Sequence, residues 1–136
     1  MSLPNAGLTI IASGHPKIRA THKTTLEFTR DKEVSERGDC VVAVNADFKK
    51  EDLQKLIHTA QKIRIVISAD SVSDEIIAYA NSGFDDDKEI VVRMGSFSSS
   101  RTLGVRASKS AKYLSRNLVE KLKVRGQKVV VTIEPV

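Results

Sequence analysis

The chain has 136 residues, enough for a single domain, 1–136, whose core must be mostly aliphatic because aromatic residues make up only 4%. One cysteine excludes an internal disulfide and a cysteine-based zinc cluster, and the lack of a signal peptide or a membrane-length apolar run predicts a cytoplasmic protein with no membrane partner. The net charge of +5 is concentrated in residues 101–136, where nine basic residues accompany two acidic ones, and this asymmetry indicates an anionic partner.

Three strands are predicted in the first third of the chain. They cover residues 8–13, 24–30 and 40–46, the second half-buried by its alternation and the third central by its continuous apolar character. The loop between the last two is short enough for an antiparallel pair. A helix then follows from about residue 47, with apolar residues recurring at helical spacing up to residue 63.

The second half of the chain returns to strands at residues 62–69, 72–79 and 89–94, although 72–79 also fits a short helix. A Ser-rich loop spans 95–104, a long helix runs from about 106 to 123 and ends near Gly126, and a last strand covers 127–134. The pattern predicts an α+β fold. It consists of a β-rich mixed sheet or a partly closed barrel of about seven strands with two main helices.

The predicted long helix has two different faces. An apolar stripe lies opposite a basic row, and Tyr113 lies beside that row; the row comprises Lys109, Lys112, Arg116 and Lys123. A basic row with an exposed aromatic residue fits phosphate binding and base stacking, although a solvated helix face is the commoner explanation of such a pattern.

The loop before this helix carries the features of an anion site. Its hydroxyl and basic residues, together with the basic residues that follow, give the candidate ligand-binding residues Ser98, Ser100, Arg101, Thr102, Arg106 and Lys109. The Gly-Lys-Ser/Thr ending of a P-loop is missing, so a simple capped loop explains the same residues equally well.

A polar cluster runs from His15 to Asp47. His15, His22, Glu27 and Asp39 are candidate catalytic residues, because neighbouring carboxylates and imidazoles can divide acid and base roles. His15, His22 and Asp39 are candidate ligands of a divalent metal, although no metal-binding spacing is present. Strand parity places Thr25, Glu27 and Asn45 on one sheet face and directs Cys40 into the core.

The residues of this cluster and of the C-terminal region resemble a known family. Gly14-His15-Pro16, the run from Ala20 to Thr29, Arg37-Gly38-Asp39-Cys40, Val44-Asn45-Ala46-Asp47, Arg101-Thr102-Leu103 and the run from Val105 to Ala111 are similar to the motifs of the archaeal domain of unknown function 371. The resemblance implies an archaeal cytoplasmic protein with a β-rich, barrel-like fold, and it implies no activity. It draws attention to Thr25, Arg37, Asn45 and Asp47 as further ligand-binding candidates.

Three functional hypotheses remain open. The leading one is a binding module for RNA or a phosphorylated small molecule, held by the Ser-rich loop and the basic helix. The second is a small metal-dependent enzyme that uses His15, His22 and a carboxylate. The third is a non-catalytic subunit of a larger assembly, and the sequence sets no oligomeric state.

Overall fold

The computed structural model describes residues 7–35 and 38–136. Their regular structure consists of β1 (Leu8–Ser13), β2 (Thr25–Thr29), β3 (Val41–Asp47), α1 (Lys50–Thr59), β4 (Lys62–Ala69), β5 (Val72–Ala80), β6 (Glu89–Arg93), β7 (Thr102–Val105), a short 3₁₀ helix (Ala111–Tyr113), α2 (Arg116–Leu122) and β8 (Lys128–Pro135). Within these ranges, no helix is both long enough and apolar enough to cross a membrane.

The eight strands form one mixed sheet that closes into a ring. Their order around the ring is β1-β3-β2-β6-β7-β5-β4-β8, and β8 pairs with β1 to complete it. Two pairs, β2–β3 and β6–β7, are parallel, and the other six are antiparallel. The predicted α+β class with a β-rich mixed sheet is therefore confirmed.

The core lies inside the ring and is mostly aliphatic. Along β4, buried residues alternate with partly exposed ones, so Ile63, Ile65 and Ile67 face inward. Helix α2 contacts β3, β4 and β5, which are not all neighbours in the ring, and it buries Leu118 and Leu122. The helix therefore covers one end of the ring.

The pairing of β2 differs from the antiparallel arrangement predicted for it. Strands β2 and β3 are parallel, so the chain between them must cross over instead of turning back. This crossover packs on the outer face of β2, and all five residues of the strand are buried. The prediction of a half-buried strand was wrong. The alternation of residues identifies the polar face of a strand, but it does not reveal whether another segment covers that face.

The long helix predicted over 106–123 is mostly absent. Arg106 adopts a left-handed backbone conformation with φ 51°, and regular α-helix is confined to Arg116–Leu122. The Ser108 hydroxyl accepts a hydrogen bond from the Ile77 N–H, and the Ser110 hydroxyl donates to the Lys23 carbonyl. These serines bind backbone groups of other segments, a role that competes with helix formation.

The Ser-rich region also ends earlier than predicted. Residues 102–105 form β7, a strand additional to the seven predicted, which lies between β6 and β5. A Cβ atom on Gly104 would lie 2.9 Å from the Ala78 Cβ, so this glycine permits a close approach of two strands. The same glycine had indicated a loop in the sequence.

Candidate functional site

A cleft lies on the outer face of β2, beneath the crossover to β3. Its volume is about 430 Å³. The residues that line it come from β2, the crossover, the start of β3 and the start of β6: Glu27, Thr29, Asp31, Glu33, Val34, Ser35, Gly38, Cys40, Val41 and Glu89. The parallel β2–β3 pair therefore creates the cleft, because it is the crossover that forms one wall.

A pair of carboxyl groups, Glu27 and Glu89, occupies the floor of this cleft. Glu27 is 8% exposed, and its carboxyl group is hydrogen-bonded to that of Glu89 on the neighbouring strand. Arg101 Nη1 lies 2.6 Å from Glu89 Oε1. Glu89 therefore lies between the carboxyl group of Glu27 and the guanidinium group of Arg101.

Burial raises the pKa of Glu27 to about 7, and the hydrogen bond and negative charge of Glu89 act in the same direction. Burial alone would also raise the pKa of Glu89, but hydrogen bonds from Glu27 and Arg101 outweigh it and lower that pKa. At neutral pH, Glu89 is therefore ionised and Glu27 is close to half-protonated. A buried carboxyl group in this state can donate or accept a proton.

Cys40 lines the same cleft as Glu27, although it is partly buried against the core. Its Sγ lies 3.7 Å from Glu27 Oε1 and donates to it. The parity prediction was wrong because Cys40 precedes β3, in a turn where the alternation of a strand does not apply. Burial raises the pKa of the Cys40 thiol to about 12, so this group stays protonated and is a poor nucleophile at neutral pH.

His15 reaches the cleft only through a second carboxylate. Its imidazole is buried, with Nε2 at 2.8 Å from Glu33 Oε1 and Nδ1 accepting a hydrogen bond from the Lys17 N–H. The hydrogen bond from His15 lowers the pKa of Glu33. Both ring nitrogens are engaged, so His15 orients Glu33 at the edge of the cleft.

His22 lies at the start of β2, apart from His15. Its imidazole Nδ1 accepts hydrogen bonds from the backbone N–H groups of Thr24 and Thr25, and its backbone N–H donates to the Asp39 carbonyl. The structure thus brings the backbone of Asp39 to His22. Among residues 7–35 and 38–136, no group of three or more His, Cys, Asp or Glu side chains is arranged so that it could hold a metal ion.

Asn45 and Asp47 do not line the cleft. Asn45 is exposed and has φ 52° at a bulge where β3 has one more residue than β1, a position that asparagine tolerates well. Asp47 is exposed at the end of β3, beside a small cavity that Lys49 also lines. Arg37 lies outside the residues that the structure describes.

The candidates of the Ser-rich region have diverse surroundings. Ser98 and Ser100 are exposed, whereas Thr102 is buried and its hydroxyl accepts hydrogen bonds from Arg93 Nε and the Ser99 N–H. Lys109 Nζ lies 2.6 Å from Asp74 Oδ1. Arg101 and Lys109 therefore have carboxylate partners of their own.

A basic surface lies at one end of β2, β6 and β7. We define it by four cations and two aromatic side chains: Lys23, Arg93, Arg106 and Lys112 with Phe97 and Tyr113. Backbone hydrogen bonds hold its three segments together, from Met94 to Thr24, from Arg106 to Gly95 and from Lys112 to His22. None of the four cations forms a salt bridge with an acidic residue in the described part of the chain.

Phe97 is the most informative residue that sequence reasoning missed. It is 67% exposed, and the Arg93 guanidinium lies 5.1 Å from its ring centroid. Tyr113 is 51% exposed, and Lys112 Nζ lies 5.8 Å from its ring. The available signal was a large aromatic residue in an otherwise polar loop, but nothing local in the sequence pairs it with Arg93.

The cleft and the basic surface adjoin on one face of the sheet. Three cross-strand pairs of β2 and β6 lie along this face in succession, Thr29 with Glu89, Glu27 with Val91 and Thr25 with Arg93. Because alternate residues of a strand share a face, Glu27 and Arg93 belong to the same outer surface. The structure thus brings Glu27 and Arg101 together and leaves His15 behind Glu33.

Residues 10–136 match the sequence pattern of the family described as Domain of unknown function (DUF371). The chain belongs to this family. It is also 32% identical over 130 residues to uncharacterized protein MJ0206 of the archaeon Methanocaldococcus jannaschii, an alignment that covers 91% of this chain and 96% of the relative. The residues matched to the family span almost the whole fold and include those that form the cleft and the basic surface.

Proposed function

We propose that the protein binds an anionic ligand through the basic surface. The observation that carries this proposal is the contrast between two groups of cations. Lys109 and Arg101 are matched by buried or half-buried carboxylates, whereas Lys23, Arg106 and Lys112 remain exposed and unmatched among the described residues. Gathering unmatched positive charge is unfavourable in the free protein, and an anion relieves that repulsion.

The ligand class follows from the geometry of the donors. Three of the four cations are on long, exposed side chains from separate segments, which suits an extended anion with several phosphates better than one compact group. RNA and a phosphorylated small molecule both satisfy this description. They differ in the number of phosphates contacted, and hence in how steeply affinity falls with salt.

Calorimetric titration with a short inorganic polyphosphate at two salt concentrations tests the proposal. We expect measurable affinity at low salt and a linear fall of log affinity with log salt concentration. Replacing Lys23 and Lys112 together with glutamine is expected to reduce the slope by about one unit per lysine.

The matched control removes the same charge elsewhere. Lys55 on α1 and Lys128 on β8 are exposed and have no salt bridge among the described residues, so Lys55→Gln with Lys128→Gln should leave the slope nearly unchanged. The proposal fails if the wild-type protein binds no polyphosphate at low salt, or if the control pair weakens binding as much as Lys23→Gln with Lys112→Gln.

A second candidate function is proton transfer to or from a substrate in the cleft, with Glu27 as the acid–base group. The observation that favours it is the buried Glu27–Glu89 pair beside Arg101 in a cleft large enough for a small molecule. Burial, together with Glu89 held ionised by Arg101, raises the pKa of Glu27 so that it is partly protonated at neutral pH, where a free carboxyl group is ionised. The neutral Cys40 thiol adds a weak donor to Glu27 Oε1.

Comparison of metabolite extracts incubated with the wild-type protein and with Glu27→Gln tests this candidate. Glutamine keeps the size of the side chain and a hydrogen-bond donor but cannot transfer a proton. We expect wild-type protein to change the amount of at least one metabolite, and Glu27→Gln to leave the extract unaltered. Glu120→Gln, an exposed change on α2, should behave as the wild type; equal activity of Glu27→Gln would refute the role of Glu27.

A further inference from the structure

The two aromatic side chains of the basic surface are not explained by phosphate binding alone. Phe97 and Tyr113 are more than half exposed, although burial of an aromatic side chain is favourable by a few kcal/mol. Each has a cation over its ring, Arg93 at 5.1 Å and Lys112 at 5.8 Å. The same combination of flat apolar ring and adjacent positive charge therefore occurs twice on one surface.

We infer that the ligand of this surface is a single-stranded nucleic acid whose bases stack on Phe97 and Tyr113 while its phosphates contact the adjoining cations. This inference rests on the anion-binding function proposed above and names its ligand. A nucleotide unit consists of one flat base and one phosphate, and each ring–cation pair offers a partner for both.

The strand must be single because a duplex hides the faces of its bases in the helical stack. On a duplex, Phe97 and Tyr113 can contact only the sugar-phosphate backbone or the helix ends, so the two rings contribute little to the affinity. An anion without bases, such as polyphosphate, also leaves the two rings without partners. Loss of the rings should therefore weaken binding of a single strand and leave polyphosphate binding intact.

The inference is tested by measuring the affinity of each variant for two probes, an oligouridylate of about twelve nucleotides and the short polyphosphate. Phe97→Ala and Tyr113→Ala are each expected to weaken oligouridylate binding by about tenfold and to change polyphosphate binding by less than about twofold. Phe97→Tyr keeps an aromatic ring and should retain oligouridylate binding, whereas Phe97→Leu should weaken it as Phe97→Ala does. Ile11→Ala, which removes an exposed apolar side chain from β1, should affect neither probe.

An optical measurement gives a second readout. The chain has no tryptophan and two tyrosines, so Tyr79→Phe leaves Tyr113 as the sole source of tyrosine fluorescence. Stacking of a base on Tyr113 should quench this emission when oligouridylate is added, and polyphosphate should not quench it. The quenching should be lost at high salt together with binding.

The results with the two probes distinguish base stacking from anion binding. If both probes bind and Phe97→Ala weakens neither or both equally, stacking is refuted while anion binding stands. If neither probe binds the wild-type protein at low salt, both ideas fail. If duplex RNA of the same length competes as well as the single strand, the assignment of a single-stranded ligand is wrong.

Discussion

Glu27 shows how one buried carboxyl group can link stability to pH. Its pKa is about 7 in the folded protein against an ordinary value near 4.5, so the folded state holds the proton more tightly than the unfolded chain. The stabilising contribution of the protonated group is complete below the ordinary pKa and is lost as the pH rises to about 7. Glu89 acts in the opposite sense, because its lowered pKa makes its contribution disappear as the pH falls.

We predict that Glu27→Gln is more stable than the wild-type protein at pH 8, by about 2 kcal/mol, and nearly equal to it at pH 5. At pH 8 the wild-type side chain is a buried carboxylate beside ionised Glu89, whereas glutamine is neutral at every pH. Urea unfolding at the two pH values measures the difference. Glu120→Gln is the control, and a wild-type protein whose stability does not fall between pH 5 and 7 would contradict the assignment.

Sequence reasoning reached Glu27 and Arg101 as candidates but could not place them together. Glu27 was recognised because it is a carboxyl group on the polar face of an alternating strand. Its partner Glu89 lies 62 positions later, and only the antiparallel pairing of β2 with β6 brings the two side chains side by side. Cys40 was misplaced for a related reason, since one turn residue before a strand suffices to remove the parity argument.

At the scale of elements, Asp74 anchors the segment that the sequence had suggested to be a long helix. Its carboxylate accepts hydrogen bonds from Lys109 Nζ at 2.6 Å and from the Ser115 N–H at 2.8 Å. Partial burial would raise the pKa of Asp74, but these two hydrogen bonds outweigh it and lower that pKa. One residue of β5 thus fixes both the extended stretch before α2 and the start of the helix.

We predict that Asp74→Asn destabilises the fold by about 1–2 kcal/mol at pH 7, because it removes a charge-assisted hydrogen bond to Lys109. The loss should shrink as the pH falls below the ordinary pKa of an aspartate and through the lowered pKa of Asp74, because the folded wild-type carboxylate is then protonated and, like asparagine, uncharged. Thermal unfolding at pH 7 and at acidic pH measures it. Asp70→Asn, which affects the exposed pair with Lys121, should cost much less; equal losses would contradict the anchoring role.

Gly14 lies where the end of β1 packs closely against the end of α2. A Cβ atom on Gly14 would lie 2.5 Å from the Val124 carbonyl oxygen and 2.7 Å from that of Leu122. We expect Gly14→Ala to destabilise the protein by about 2 kcal/mol or more, because backbone atoms must move. Gly95→Ala, where a Cβ meets nothing within 4 Å, is the control for chemical denaturation.

The apolar pattern of residues 106–123 was real, but its assignment to one helix was wrong. Ala107, Ala111, Leu114 and Leu118 are all buried, as the amphipathic stripe predicted. The first three are buried by an extended chain and a 3₁₀ turn instead. The decisive hydrogen bonds of Ser108 and Asp74 join distant segments, and no local propensity reports them.

At the scale of the whole molecule, the ring has no free sheet edge among the described strands. Strand β8 pairs with β1 over six residues and with β4 over seven, which places it between two long antiparallel neighbours. Strand β7, by contrast, pairs with β5 at only two positions and has four residues. The β4–β8–β1 side of the ring is therefore the more extensively paired side.

Hydrogen exchange should reveal this asymmetry. We predict that the amides of Val131 in β8 and Ile67 in β4 exchange only through global unfolding, whereas amides of β7 exchange faster through local opening. Mass spectrometry or NMR under native conditions measures the rates. Equal protection of β7 and β8 would contradict the prediction.

Closure of the ring has a consequence during protein synthesis. Strand β8 is the last of the eight to be made, yet its place lies between β1 and β4, which leave the ribosome much earlier. A nascent chain must keep two unpaired strand edges for on the order of ten seconds at ordinary elongation rates. During that interval the edges of β1 and β4 can pair with another chain, so slow or interrupted translation of the segment from β5 to β8 should promote aggregation of this protein.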